Sequence, residues 1–391
     1  MSAQRRRWFL LLGLAAAELP RKVLLNASGH NAKCLDSSPA GFYIREQDPA
    51  KWVIFLDGGG LCIDAVDCRQ RAQTAHGSSK SWPDVWDEEA VPFASHADSA
   101  FRGFSQVFVP YCSGDLWLGM DPKPRLVAGD LQMSGHLILS ALVEHLANAT
   151  GLRQSSLVVF AGQSAGGIGV LHHADWISAK LSSLGASPKV AVLSAAGMFF
   201  PADWPVLWDE FRLGLEWPVD NFMAKWCHMI EGSYLHEGCV AAAKAAGRAP
   251  STCQDVSNIL PELKADVFLM QNQFDQYQVL HLGLCPASEC TANATATSLP
   301  GRYLALMGRL TNATLGAAAR NNSRMGIFAP SRFDHTGDLM EDLAGTGRSI
   351  PGVHFRAAFD AWLTGHAVRI IDSSCQGLPC TPKVAGSTLV V

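Results

Sequence analysis

The chain has 391 residues, 48% of them hydrophobic and 17% charged, which excludes a disordered or fibrous protein and leaves length for a large core. Lys plus Arg number 31 against 35 Asp plus Glu, a net charge of −4, so no cationic surplus favours a phosphate backbone and no nucleic-acid role is expected. Eleven cysteines, with no close C-x-x-C pair facing a second one, point to disulfides rather than to a metal centre.

At the start, Arg5, Arg6 and Arg7 precede an apolar run that ends in Ala15-Ala16-Ala17. A basic stretch, a short apolar stretch and small residues predict a secretory signal over residues 1–17, cleaved near Ala17. The run is roughly half of what a bilayer span requires. No later stretch reaches that length, so residues 18–391 read as one secreted domain without a membrane span. Five N-x-S/T sequons, at Asn26, Asn148, Asn293, Asn312 and Asn321, agree with export and are candidate glycan sites. An oxidising compartment makes disulfides the natural fate of the cysteines.

Apolar strand-like runs then alternate with helical segments. Strands are predicted at 51–56, 106–110, 157–160, 190–193, 267–270 and 325–329, and helices at 131–146 and 165–184. This alternation implies an α/β layer fold with a mostly parallel sheet flanked by helices. Residues 199–261, rich in Trp, Cys and Ala, read as a helical insertion or lid, and 287–300 as an exposed loop.

The sharpest motif is Gly162-Gln163-Ser164-Ala165-Gly166. It follows a predicted strand and opens a predicted helix, the context of a nucleophile elbow in an α/β-hydrolase-type fold. A plain glycine-rich turn or a phosphate cradle would share the pentapeptide but not the placement. Ser needs a base, and in this fold the acid and then the His follow on loops after later strands. Asp275 and His335 meet both order and placement, so Ser164, Asp275 and His335 are the predicted triad. The rivals are weaker: His354 and His366 lie in a terminal helix-like segment, and Asp334 adjoins His335. Asp266 precedes its strand, and His172 and His173 read as packing or surface residues. Asp57-Gly58-Gly59-Gly60 follows an early strand, where main-chain amides can approach a substrate. Gly59 and Gly60, with Ala165 beside the nucleophile, are therefore the candidate oxyanion hole. No clustered metal-ligand motif appears, and no cofactor is expected.

Taken in order, these pieces resemble the pectin acetylesterase family, which includes plant and bacterial pectin acetylesterases and the animal palmitoleoyl-protein carboxylesterase Notum. The resemblance rests on Cys34-Leu-Asp-Ser-Ser-Pro-Ala-Gly-Phe-Tyr43, Phe55-Leu-Asp-Gly-Gly-Gly-Leu-Cys62, Cys68 and Gly77-Ser-Ser-Lys80. It continues through Val109-Pro-Tyr-Cys-Ser-Gly-Asp115, Gly162-Gln-Ser-Ala-Gly-Gly167, Asp275, His335 and Asp372-Ser-Ser-Cys375 to Cys380. It implies cofactor-free hydrolysis of an ester on an extracellular substrate, with the triad on Ser164, Asp275 and His335. It also implies disulfides Cys34–Cys112 and Cys62–Cys68, then Cys285–Cys290 and Cys375–Cys380. Arg332 stands where the family usually has Cys. Gly60 looks like the pectin acetylesterase version, Notum having Trp there, whereas Val109–Trp117 and Ser164–Val170 look closer to Notum.

The expected partner is an acylated polysaccharide such as pectin, or an acylated protein, and the expected state is a monomer. The alternatives are a Notum-like lipid deacylase and a non-catalytic carbohydrate-binding pseudoenzyme. Trp82, Trp86, Trp117, Phe199 and Phe200 are candidates for the mouth of the site, or ordinary core residues.

Overall fold

Runs apolar on both faces become the middle of a sheet, because helices cover them on either side. The computed structural model describes residues 19–25, 31–62, 64–120, 131–199, 232–282, 298–375, 379 and 389–390. In chain order its strands are β1 (Arg21–Leu24), β2 (Gly41–Arg45), β3 (Lys51–Leu56), β4 (Ser105–Val109) and β5 (Leu157–Gln163). They continue with β6 (Lys189–Ala195), β7 (Asp266–Met270), β8 (Gly326–Ala329), β9 (Arg369–Asp372) and β10 (Leu389–Val390). The six predicted strands are β3 to β8; β1, β2, β9 and β10 are additional, and they lie at the edges.

The strands form a ten-stranded sheet in the order β1-β2-β4-β3-β5-β6-β7-β8-β9-β10. Pairings from β4 through β9 are parallel, while β1–β2, β2–β4 and β9–β10 are antiparallel. Parallel strands put all their C-terminal ends at one edge. There β3, β5, β7 and β8 deliver Asp57, Ser164, Asp275 and His335, the arrangement of an α/β-hydrolase-type fold.

The flanking helices are α1 (Ala65–Arg71), α2 (Gly135–Ala149), α3 (Ala165–His172), α4 (Ala174–Ser183) and α5 (Glu237–Ala245). They continue with α6 (Gln276–Leu282), α7 (Leu299–Asn321), α8 (Gly337–Ala344) and α9 (Phe355–Leu363). The single helix predicted over 165–184 is two, broken at His173. The His173 ring Nδ1 pairs with Gly169 O at 2.8 Å and its Nε2 with His136 Nδ1 at 2.9 Å. Both His172 and His173 are fully buried, so neither is a surface residue.

Of the predicted insertion, residues 200–231 lie outside the described residues. The remainder carries α5 and three short 3₁₀ turns, clipped by a disulfide between Cys239 and Cys253 that was not expected. Cys34–Cys112 and Cys62–Cys68 are both formed. Cys375 is also disulfide-bonded, while Cys285, Cys290 and Cys380 lie outside the described residues. So do the signal segment 1–17, Asn26, Asn293 and Phe200. Asn148 and Asn321 are exposed. Asn312 is different: it is half-buried, and its Nδ2, the atom a glycan would occupy, donates to Gln273 Oε1 at 2.7 Å. Among the described residues no helix is long and apolar enough to cross a membrane.

Candidate active site

The turn between β5 and α3 is built for close approach. A Cβ on Gly166 would lie 2.2 Å from Leu56 O, so only glycine lets α3 start against β3. Ser164 takes φ 52°, ψ −120°, a sparsely populated conformation held by its N–H donating to Ala195 O at 2.8 Å. Ser164 is 8% exposed, so its hydroxyl is reachable only at the sheet edge.

Three side chains from separate strand ends meet there. His335 Nε2 lies 2.8 Å from Ser164 Oγ, and His335 Nδ1 lies 3.0 and 2.9 Å from the two carboxylate oxygens of Asp275. Asp275 is fully buried, and each oxygen has a further donor: Gln278 N–H to Oδ1 and Gln271 Nε2 to Oδ2, both at 3.1 Å. A carboxylate accepting these bonds holds the imidazole with its proton on Nδ1, leaving Nε2 to accept from the serine.

The rivals are placed elsewhere. Asp334 Oδ2 accepts from Asp338 N–H at the start of α8, and His354 faces Asp98 at 3.5 Å. His366 bonds locally with Thr364 and Ala361. Asp266 pairs with Arg324 and Lys189 at the far end of β7.

The glycine run packs directly on the nucleophile: a Cβ on Gly58 would lie 2.8 Å from Ser164 Cβ and 3.5 Å from its Oγ. Asp57 Oδ1 accepts from Gly58 N–H at 2.8 Å and from Gln163 Nε2 at 2.9 Å, tying this loop to the elbow. Burial pushes the Asp57 carboxyl above its ordinary range, and these hydrogen bonds oppose that. The amides of Gly59 and Gly60 meet no protein acceptor among the described residues.

One side of the site is walled by Tyr277. Its ring stacks on His335 with centroids 5.0 Å apart, and its hydroxyl would lie 3.1 Å from a Cβ on Gly60. Phe199 backs it at 5.2 Å. Of the described candidate aromatics only Phe199 is beside the base. Trp117 is buried behind the loop, its Nε1 donating to Asp57 O at 3.0 Å, and Trp82 is buried with its Nε1 on Ala75 O. Trp86 packs on Tyr43 and Phe108.

The family described as Pectinacetylesterase matches residues 15–384. The chain belongs to that family. It is 28% identical over 335 residues to palmitoleoyl-protein carboxylesterase notum1a of Danio rerio, covering 81% of this chain and 61% of that protein. It is 28% identical over 272 residues to pectin acetylesterase 5 of Arabidopsis thaliana, covering 67% of this chain and 58% of that protein. The chain thus spans about three-fifths of the length of these two curated relatives. Its fold is similar to that of the Wnt deacylase Notum from Drosophila, with a TM-score of 0.70 and 24% identity, covering 90% of this chain and 96% of that one.

Several residues that shape this pectinacetylesterase-family site were not singled out from the sequence. Gln271 Oε1 accepts from Met198 N–H at 3.1 Å, and Gln278 Nε2 donates to Met198 O at 3.0 Å. Asn272 Nδ2 donates to the carbonyls of Asp334 and His335 at 3.1 and 3.3 Å, fixing the base loop. The available signal was the run Gln271-Asn-Gln-Phe-Asp-Gln-Tyr-Gln278. An amide-rich stretch after a buried strand has side chains that can satisfy backbone groups inside the fold.

Proposed function

We propose that this chain is a secreted, single-domain carboxylic ester hydrolase that removes O-acetyl groups from an extracellular polysaccharide such as pectin. The signal segment 1–17 would be removed on export, and no cofactor takes part. Ser164 is the nucleophile, His335 the general base and then acid, and Asp275 the group that holds the imidazole and stabilises its cation. Ser164 Oγ attacks the ester carbonyl while its proton passes to His335 Nε2. The negative charge on the carbonyl oxygen falls among the amides of Gly59, Gly60 and Ala165. His335 gives the proton to the departing sugar oxygen as its bond to the carbonyl carbon breaks, and water activated by the same nitrogen then releases acetate from the serine.

The observation that carries this reading is the unbroken chain of hydrogen bonds from Ser164 Oγ through His335 to Asp275. A non-catalytic carbohydrate-binding protein would have no need to keep all three in register. Tyr277 favours a short acyl group, since its ring fills the space between His335 and Gly60.

Ser164→Ala is expected to abolish hydrolysis of p-nitrophenyl acetate with the circular dichroism spectrum unchanged; full turnover in that variant would eliminate the mechanism. Acetyl against octanoyl esters, together with acetylated pectin and xylan, tests the substrate. A strong long-chain preference would replace the acetyl reading with lipid deacylation.

A further inference from the structure

An oxyanion hole works only if its amides point at the developing charge before the reaction begins. Two consecutive glycines have wide conformational freedom, so some other group must hold the peptide units between Gly59 and Leu61. Arg71, the last residue of α1, reaches back twelve residues to do so. Its Nη1 donates to Gly59 O at 2.6 Å and its Nη2 to Leu61 O at 3.3 Å. The side chain is half-buried, and its buried Nε has no partner among the described residues.

In a trans peptide the carbonyl and the following N–H point to opposite sides. Holding Gly59 O towards α1 therefore turns Gly60 N–H the other way. The neighbouring unit supports this logic: Leu61 O is on Arg71 and Cys62 N–H donates to Gly114 O at 3.1 Å, so that unit is fixed at both ends. The Gly59–Gly60 unit is fixed at its carbonyl alone, and its N–H has no protein acceptor among the described residues.

We infer that Arg71 is a positioning residue for the oxyanion hole: its guanidinium grips the carbonyls of Gly59 and Leu61 so that Gly60 N–H faces the carbonyl oxygen during attack by Ser164. The inference rests on the esterase reading and adds to it a residue that touches neither substrate nor triad. The fork is needed because a guanidinium spans two carbonyls in one plane, whereas an ammonium is a single point of attachment. α1 is itself anchored for the task. The Cys62–Cys68 disulfide joins it to the end of the loop, and Asp64 Oδ1 caps it by accepting from the N–H groups of Val66 and Asp67 at 2.9 Å.

The test compares wild type with Arg71→Met and Arg71→Lys on p-nitrophenyl acetate. Losing one oxyanion donor should lower kcat of Arg71→Met by roughly 10²-fold with KM little changed. Arg71→Lys should recover part of that loss. A boronic acid, whose serine adduct is a tetrahedral anion, should lose affinity in step with kcat, a change that mere loosening of the fold would not produce. Unchanged kcat in a folded variant, or a rise in KM at constant kcat, would overturn the inference. Should Arg71→Met fail to fold, the lysine variant decides by the same criteria. An inactive wild type whose Ser164 takes no fluorophosphonate would instead defeat the esterase reading, so the two failures are distinguishable.

Discussion

Around Gly58–Gly60 two disulfides, Cys34–Cys112 and Cys62–Cys68, close on the segments that carry the loop and its supports. Buried Asp115 gathers Ser113 Oγ and the amides of Trp117, Gly119 and Gly135 beside them. Around Asp275 and His335 side-chain amides do much of the holding, and Cys375, three residues beyond Asp372, is disulfide-bonded. Asn272 grips the backbone of the base, Gln271 and Gln278 brace the acid, and Gln273 Nε2 joins Ala329 O to Asp372 O. Arg332, at the place where the family resemblance leads one to expect Cys, donates from Nε to Ser349 O at 2.9 Å. In the proposed mechanism the nucleophile side must stay rigid, because its amides would have to be aimed before charge develops. The proposed base side would have to accept and return a proton, and the side-chain amides orient it.

The largest expected effect tests the base side. Asp275→Asn should leave the fold intact but favour the wrong imidazole tautomer, lowering kcat by roughly 10⁴-fold. A loss below tenfold would remove Asp275 from the mechanism. Next is the covalent side: Cys34 and Cys112 are 78 residues apart, and a cross-link closing a loop of that size contributes about 4 kcal/mol. The double serine variant should lose that much in urea titration, and a loss under about 1 kcal/mol would show that the loop does not depend on it.

The two sides should also differ in pH response. Burial, with Lys180 adding to it, pushes His136 down to about 4, and burial pushes His172 down to about 3. The unfolded chain takes up protons below pH 6.5 that these folded rings refuse, so the nucleophile side loses stability as pH falls from 6.5 towards 4. Asp342, on α8 after the base, is raised to about 6 by burial, against hydrogen bonds from Ser349. The unfolded carboxyl ionises near 3.8, so its contribution is present below that pH and is lost as pH rises through 6. Between pH 7 and 4, wild type should lose about 3 kcal/mol more than His136→Gln, and Asp342→Asn should flatten the opposite limb. Parallel curves for wild type and His136→Gln would contradict the assignment.

The smallest effect expected is that of Asn272→Ala, which removes two hydrogen bonds from the base loop. It should cost about 2 kcal/mol and lower kcat by about tenfold through misplacement of His335. An effect on stability with none on kcat would mean that the loop holds its position without Asn272.

The central strands were legible because Lys51–Leu56 and its parallel neighbours are continuous apolar runs bounded by turns. β1, β2, β9 and β10 are short strands making up the outer two positions at each end of the sheet, and their pairing depends on partners distant in sequence, as in Arg21 with Ile44 or Leu389 with Asp372. The break at His173 carries no Gly or Pro; it comes from packing with His136, Tyr234 and Trp176, which no local pattern displays. Ser164, Asp275 and His335 could be chosen because each follows a strand in the order this fold requires. Asn272, Gln273 and Arg71 could not, because polar residues near loops look solvated until the backbone they satisfy is known. The Cys239–Cys253 pairing was hidden for a related reason, since eleven cysteines allow many pairings.

The central claim is that Ser164 alone, among the serines of the chain, is activated by His335 and Asp275. Mass spectrometry after treatment with a fluorophosphonate tests it most directly. One adduct per chain, on the peptide bearing Ser164 and absent from the His335→Ala protein, is the predicted result. An unmodified Ser164 in the folded wild type, or the adduct on a different serine, would contradict it.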